Sequence, residues 1–188
     1  MPSQGPNLPG TASQPSPAIG PTWTNVNNIL ASDNSRAYVA LVAPEVANWL
    51  RATNFGFAGI TGEITGIQAR IERQGSAGLA IDDGKVQMTK NGIIGVGTDK
   101  SNAEIWVNTD ISQSYGTGTT DLWDATWTPD EIMASTFGLI IAPRNQVGAS
   151  EEARVDSITI TVHYTSAEGR RKRQTQAPLI GFRQPSDW

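Results

Sequence analysis

The chain has 188 residues, a formal net charge of −4, 17% charged side chains, 19 glycines, 11 prolines and no cysteine. That length suits one domain with a sizeable core, and the absence of cysteine excludes disulfides and thiolate metal sites. No apolar run approaches a membrane span and no basic-then-apolar leader opens the chain, so no membrane partner is expected.

Residues 1–21 are dense in proline and glycine and carry no charged side chain. Such a segment cannot make a core. Its prolines keep the backbone extended and reduce the entropy lost on docking, which predicts an N-terminal arm over 1–21. The body, 22–165, begins near Trp23 with a turn-rich entry through Asn25, Asn27, Asn28, Ser32, Asp33 and Asn34, followed by a strand over 36–42 that Pro44 ends. A second strand is expected within 49–57, with Phe55 and Phe57 on one face. Over 64–73, Ile67, Ala69 and Ile71 alternate with Gln68, Arg70 and Glu72, the pattern of a half-wet antiparallel strand. Turns are predicted at Asp83-Gly84 and Asn91-Gly92, on either side of a strand over 86–90. Short strands at 93–97 and 104–107 and a Gly-Thr loop over 115–120 lead on.

The strongest signals lie in 121–165. Thr128, Pro129 and Glu131 spell a helix start: a cap, a proline at the first helical position and a glutamate three residues after the cap. Phe137, Leu139 and Ile141 alternate with Gly138, Ile140 and Ala142, and Ile158, Ile160, Val162 and Tyr164 alternate with Thr159, Thr161 and His163. Alternation with a threonine-rich face belongs to antiparallel sheets. The expected fold is all-β: a jelly-roll-like antiparallel β-sandwich with one short helix and extended N- and C-terminal arms.

Periodicity stops after Thr165. Residues 166–188 hold five basic and two acidic side chains, +3, which leaves −7 on the rest of the chain. Arg170, Arg171, Lys172 and Arg173 form a basic cluster; Leu179, Ile180, Phe182 and Trp188 are large apolar side chains without a periodic frame. Fully burying each would contribute about 1.5–3 kcal/mol. The cluster reads as a nucleic-acid contact, a solvated linker or a charge-docking arm. An acidic body repels phosphate, so nucleic acid is not expected, and the docking reading accounts for both the charge asymmetry and the apolar anchors. These eight residues are the expected partner-binding set.

Catalytic parts are missing. His163 is the only histidine, so one chain cannot build a His relay or a His-rich metal site. Asp82-Asp83 and Glu151-Glu152 read as solvated turn residues; a calcium site on Asp82, Asp83 and Asp99 would need carbonyl ligands, and no carboxylate spacing marks a glycosidase. The glycines at 92, 95 and 97 do not sit between a strand and a helix, so no phosphate loop is expected. No enzyme activity, cofactor or metal follows. The tryptophans at 23, 49, 106, 123 and 127 fall at strand edges and turns, where they cap a sandwich or, in the alternative, stack on sugars.

The succession TWTNVNNILASDNSRAYVAL, LRATNFGFAGI, ITGIQARIER, DLWDATWTPDEIMASTFGLIIA and RVDSITITVHYT, covering about 22–165, resembles a group of β-sandwich proteins and domains found among bacteriophage virion structural proteins. The resemblance implies a place in the particle, made in the host cytoplasm. A head decoration or cement protein is the expected role, with the major capsid protein or other virion proteins as partners and copies of itself in a homo-oligomer such as a trimer. The alternative is a carbohydrate-binding tail fibre or adhesin module, or a tail or connector component, with exposed aromatics and the loop over 115–120 as the glycan site.

Overall fold

A computed structural model describes residues 1–77 and 80–166. Two antiparallel sheets face each other across one hydrophobic core. In the first, the long strand β9 (Glu151–Tyr164) is central; β1 (Ser3–Asn7) and β3 (Ala37–Leu41) pair with different halves of its one edge. Its other edge takes β5 (Ile64–Gly75), and β7 (Ile111–Tyr115) closes that side. The second sheet runs β2 (Thr11–Ser13), β4 (Leu50–Thr53), β8 (Gly138–Asn145), β6 (Ile81–Thr89). The all-β sandwich stands, with one short α-helix among the described residues.

Alternation sets the core. Ile67, Ala69 and Ile71 of β5 face inward beside Ile158, Ile160 and Val162 of β9, against Leu50, Ala52, Leu139, Ile141, Val86 and Met88 of the other sheet. The helix α1 (Pro129–Met133) has the expected capping box: the Thr128 hydroxyl accepts from Glu131 N, and the Glu131 carboxylate accepts from Thr128 N at 2.9 Å. Its buried Ile132 then fastens it to the sandwich.

Several expectations are corrected. Within residues 1–21, Ser3–Asn7 and Thr11–Ser13 run extended, but as edge strands of this body rather than as a separate arm, because their N–H and C=O groups complete open edges of both sheets: β1 on β9 and β2 on β4. The Gln14 side chain donates to Trp23 O at 3.0 Å and accepts from Trp23 N at 2.9 Å, holding the turn that follows. The second predicted strand stops at Thr53. Asn54 and Gly56 take left-handed backbone, φ 62° and 68°, and turn Phe55 and Phe57 together onto Phe137. Asp83-Gly84 is no turn: β6 continues through it with a register shift between Asp83 and Lys85. Residues 93–97 add only a bridge from Val96 to Met88, and 104–107 form no ladder; Trp106 N donates to Ile81 O and Gly75 N to Val107 O, both at 2.8 Å, linking the two sheets. The β7 strand was not foreseen, since ISQSY has little apolar content.

Candidate functional site

The eight residues nominated for partner binding, Arg170, Arg171, Lys172, Arg173, Leu179, Ile180, Phe182 and Trp188, lie outside the described residues. The last described residues are tied to the body: Tyr164 N donates to Pro2 O and Thr165 N to Glu63 O, so Tyr164 lies beside the first residues of the chain.

The acidic pair Asp82-Asp83 is buried, at 0% and 3% exposure, and not the solvated turn expected. The two carboxylates point to opposite faces of β6. Asp82 accepts from Arg144 Nη2 at 2.7 Å and from Gln146. Asp83 faces the core, where Arg73 pairs with it, Trp106 Nε1 donates at 2.8 Å and the Tyr115 hydroxyl donates at 2.8 Å. Burial pushes the Asp83 carboxyl up, against the opposing pull of Arg73, Trp106 and Tyr115; burial beside Asp83 pushes the Tyr115 phenol up as well. Asp99 is elsewhere: burial resists its ionisation, but the N–H groups of Val86 and Ser101 and the Lys85 ammonium outweigh that and hold it low. The three aspartates thus serve three separate networks, and among the described residues no group of three or more metal-ligating side chains forms. Glu151 is nearly buried against Ser76, and Glu152 pairs with Arg154.

A third carboxylate pair escaped the sequence. Glu72 of β5 and Asp156 of β9 come together on the first sheet, with the Ser32 and Ser157 hydroxyls donating to Glu72 at 2.9 and 3.0 Å. Burial and the adjacent Glu72 charge push Asp156 up. The two positions are 84 residues apart in number, and only the β5–β9 register joins them. On the same outer face Pro6, Gln68, Arg70, Thr159 and Thr161 line a shallow hollow of about 190 Å³, which holds no acid–base pair.

Tyr115 and the tryptophans at 23, 106, 123 and 127 are buried, which removes them from any glycan surface. Each of those indoles finds an acceptor: Asn48 O, Asp83, Ile67 O and Leu122 O. Trp49 is different. It precedes β4 with its side chain on the outer face of the second sheet, half-buried, with the Lys85 ammonium 5.5 Å and the Arg51 guanidinium 5.8 Å from the ring centroid. Beneath lie Ile140 and Ala142 of β8, 0% and 1% exposed, so both faces of this strand are covered, unlike the wet outer face expected. The bulge at Gly84 makes the arrangement possible. One extra residue shifts the phase of β6 so that Asp83 and Val86 face inward while Lys85 faces out. A Cβ at Gly84 would stand 3.0 Å from Ala142 O and Val46 Cγ1 and 3.2 Å from Arg144 Cβ, which explains the glycine.

No family model and no curated protein matches the chain. A solved structure titled "CBM4 structure and function" is similar at 13% identity over 69% of this chain and 85% of that one, with a TM-score of 0.41. A likeness this slight carries no functional argument.

Proposed function

We propose that this chain is a non-enzymatic structural protein of a bacteriophage particle, a decoration or cement protein that attaches through contacts outside the sandwich core. The observation that carries the reading is how the body uses its reactive side chains. Asp82, Asp83, Asp99, Asp121 and Glu131 are each ion-paired within the fold, to Arg144, Arg73, Lys85, Lys100 and Lys90. These pairs knit strands and loops together and leave no acid and base facing a common cleft among the described residues. The motif segments that resemble virion proteins supply the same pieces: core strands, the Phe55–Phe57–Phe137 cluster and the capped helix. They build a stable block, and attachment falls to its surface and to the basic segment.

Attachment rests on charge and burial. A body of −7 beside a segment of +3 favours docking of that segment on an acidic neighbour, and many copies offset the ordering entropy through avidity. Replacing Arg170, Arg171, Lys172 and Arg173 together by Glu in the full chain is expected to leave the melting temperature unchanged and to abolish incorporation into purified particles, read by copy number. Normal incorporation of this variant would sink the reading.

A further inference from the structure

We propose that the outer face of the second sheet, centred on Trp49, Arg51 and Lys85, is a binding site for an acidic sugar residue, a carboxylated pyranose within a glycan. The inference is independent of the particle reading.

Hydrogen-bond accounting comes first. Trp49 Nε1 meets no acceptor among the described residues, in contrast to the four buried indoles, which are all satisfied. Arg51 donates from Nη2 to Ile93 O at 3.0 Å, while its Nε is buried without a partner. Among the described residues no carboxylate ion-pairs with Arg51 or with the exposed Arg70, whereas Lys85, Lys90, Lys100, Arg36, Arg73, Arg144 and Arg154 each have one. Partial burial alone lowers the Arg51 pKa. The partly buried Arg51 guanidinium therefore carries a charge that no carboxylate of the described residues neutralises, and an incoming anion relieves the cost of that burial.

The spare groups are all donors, and they lie within reach of one aromatic ring. A carboxylate fits the planar fork of a guanidinium better than any neutral acceptor does. A pyranose adds ring and hydroxyl oxygens, acceptors for the Trp49 N–H and the Lys85 ammonium at the rim of the ring. Lys85 is held over the ring by Asp99, 3.2 Å away, so the wall of the site is set before a ligand arrives. Gln87, beside Arg51 across the sheet, is already engaged with Gly97 O at 2.6 Å and closes that side.

A protein partner fits less well. Stable protein interfaces bury on the order of 1,200–2,000 Å² around an apolar centre. Here the apolar floor, Ile140 and Ala142, is already covered, and the exposed aliphatics Val46 and Ile93 stand at opposite ends of the row rather than around the ring.

The test is calorimetric titration of the full chain with oligomers of galacturonic acid and of sialic acid, and with uncharged galactose oligomers for comparison. At least one acid is expected to bind about tenfold more tightly than the neutral sugar. Trp49→Ala is expected to weaken binding of the acid by about tenfold or more, and Arg51→Gln to erase the preference for the acid. Joint replacement of Arg170, Arg171, Lys172 and Arg173 by Ala should change neither. Trp49 lies outside the core cluster, so its variant should keep the wild-type far-UV spectrum; if it does not fold, Arg51→Gln decides alone. Equal binding of acid and neutral sugar, no binding of either acid at millimolar concentration, or binding that survives both substitutions overturns the site. Loss of binding in the basic-cluster variant also overturns it. So does Trp49→Ala failing to enter particles while the chain binds no sugar, since the face would then contact protein.

Discussion

The most deeply buried charges of this body, Arg73 and Asp83, are paired with each other. Arg73 sits on β5 at a position whose alternation points it into the core, and its cost is offset by Asp83, by the Tyr115 hydroxyl at 2.5 Å and by the Trp106 ring 5.0 Å from its guanidinium carbon. Asp156 shows the opposite case, a carboxyl pressed against a second carboxyl. Its folded-state pKa lies above the ordinary aspartate value, so the stability it contributes is fully present below that value and lost as the pH rises through the raised one. Asp156→Asn cannot ionise and keeps the shape of the protonated acid. The stability of the wild type relative to this variant is therefore expected to fall as the pH rises above the ordinary aspartate range, read from melting temperatures of both proteins from acid to neutral pH. A constant difference would show that burial beside Glu72 does not raise the Asp156 pKa.

Short elements here depend on what fastens their ends. A five-residue helix is too short to persist alone, so α1 exists because its cap satisfies the first N–H groups and Ile132 is buried. Thr128→Ala is expected to cost about 1 kcal/mol in chemical denaturation, and Thr128→Asp to restore most of it. Equal stability of the alanine variant would mean that the buried Ile132 holds the turn without the cap. The β6 bulge works on the same scale: Gly84 turns one strand into two phases, one half giving Asp83 to the core network and the other giving Lys85 to the Trp49 face. A D-G pair reads as a turn from its residue types, yet the neighbouring β8 strand, continuous from Gly138 to Asn145, keeps β6 straight past it.

For the whole molecule, the first residues finish the sandwich. β1 shares the β9 edge with β3, and β2 covers the β4 edge, so removing residues 1–21 would expose backbone on both sheets. Their deletion is expected to lower stability by on the order of 2–4 kcal/mol and to promote aggregation through the bared edges. An unchanged denaturation midpoint with a monomeric scattering profile would mean that the segment acts as a separate arm after all. Among the described residues no helix is long and apolar enough to cross a membrane.

Much of this architecture is written in local pattern. The period-two alternation of 64–73 and 158–164, the helix signal at Thr128–Glu131 and the all-β character all hold in three dimensions, because the pleat and the cap are decided by residues near one another in the chain. Composition also marked 1–21 as extended. What composition could not say is which edges that backbone would complete, since pairing β1 with β9 joins residues about 160 positions apart. Separation along the chain likewise hides the Glu72–Asp156 pair, the burial of Asp82 and Asp83, and the cover over Ile140 and Ala142. The Trp49 face belongs with them: its ring stands just ahead of β4, its two cations on β4 and β6 and its covered floor on β8. A sequence determines which way each side chain points from its own strand. Only the order of strands in the sheets, set by the closing of one common core, decides what it meets there.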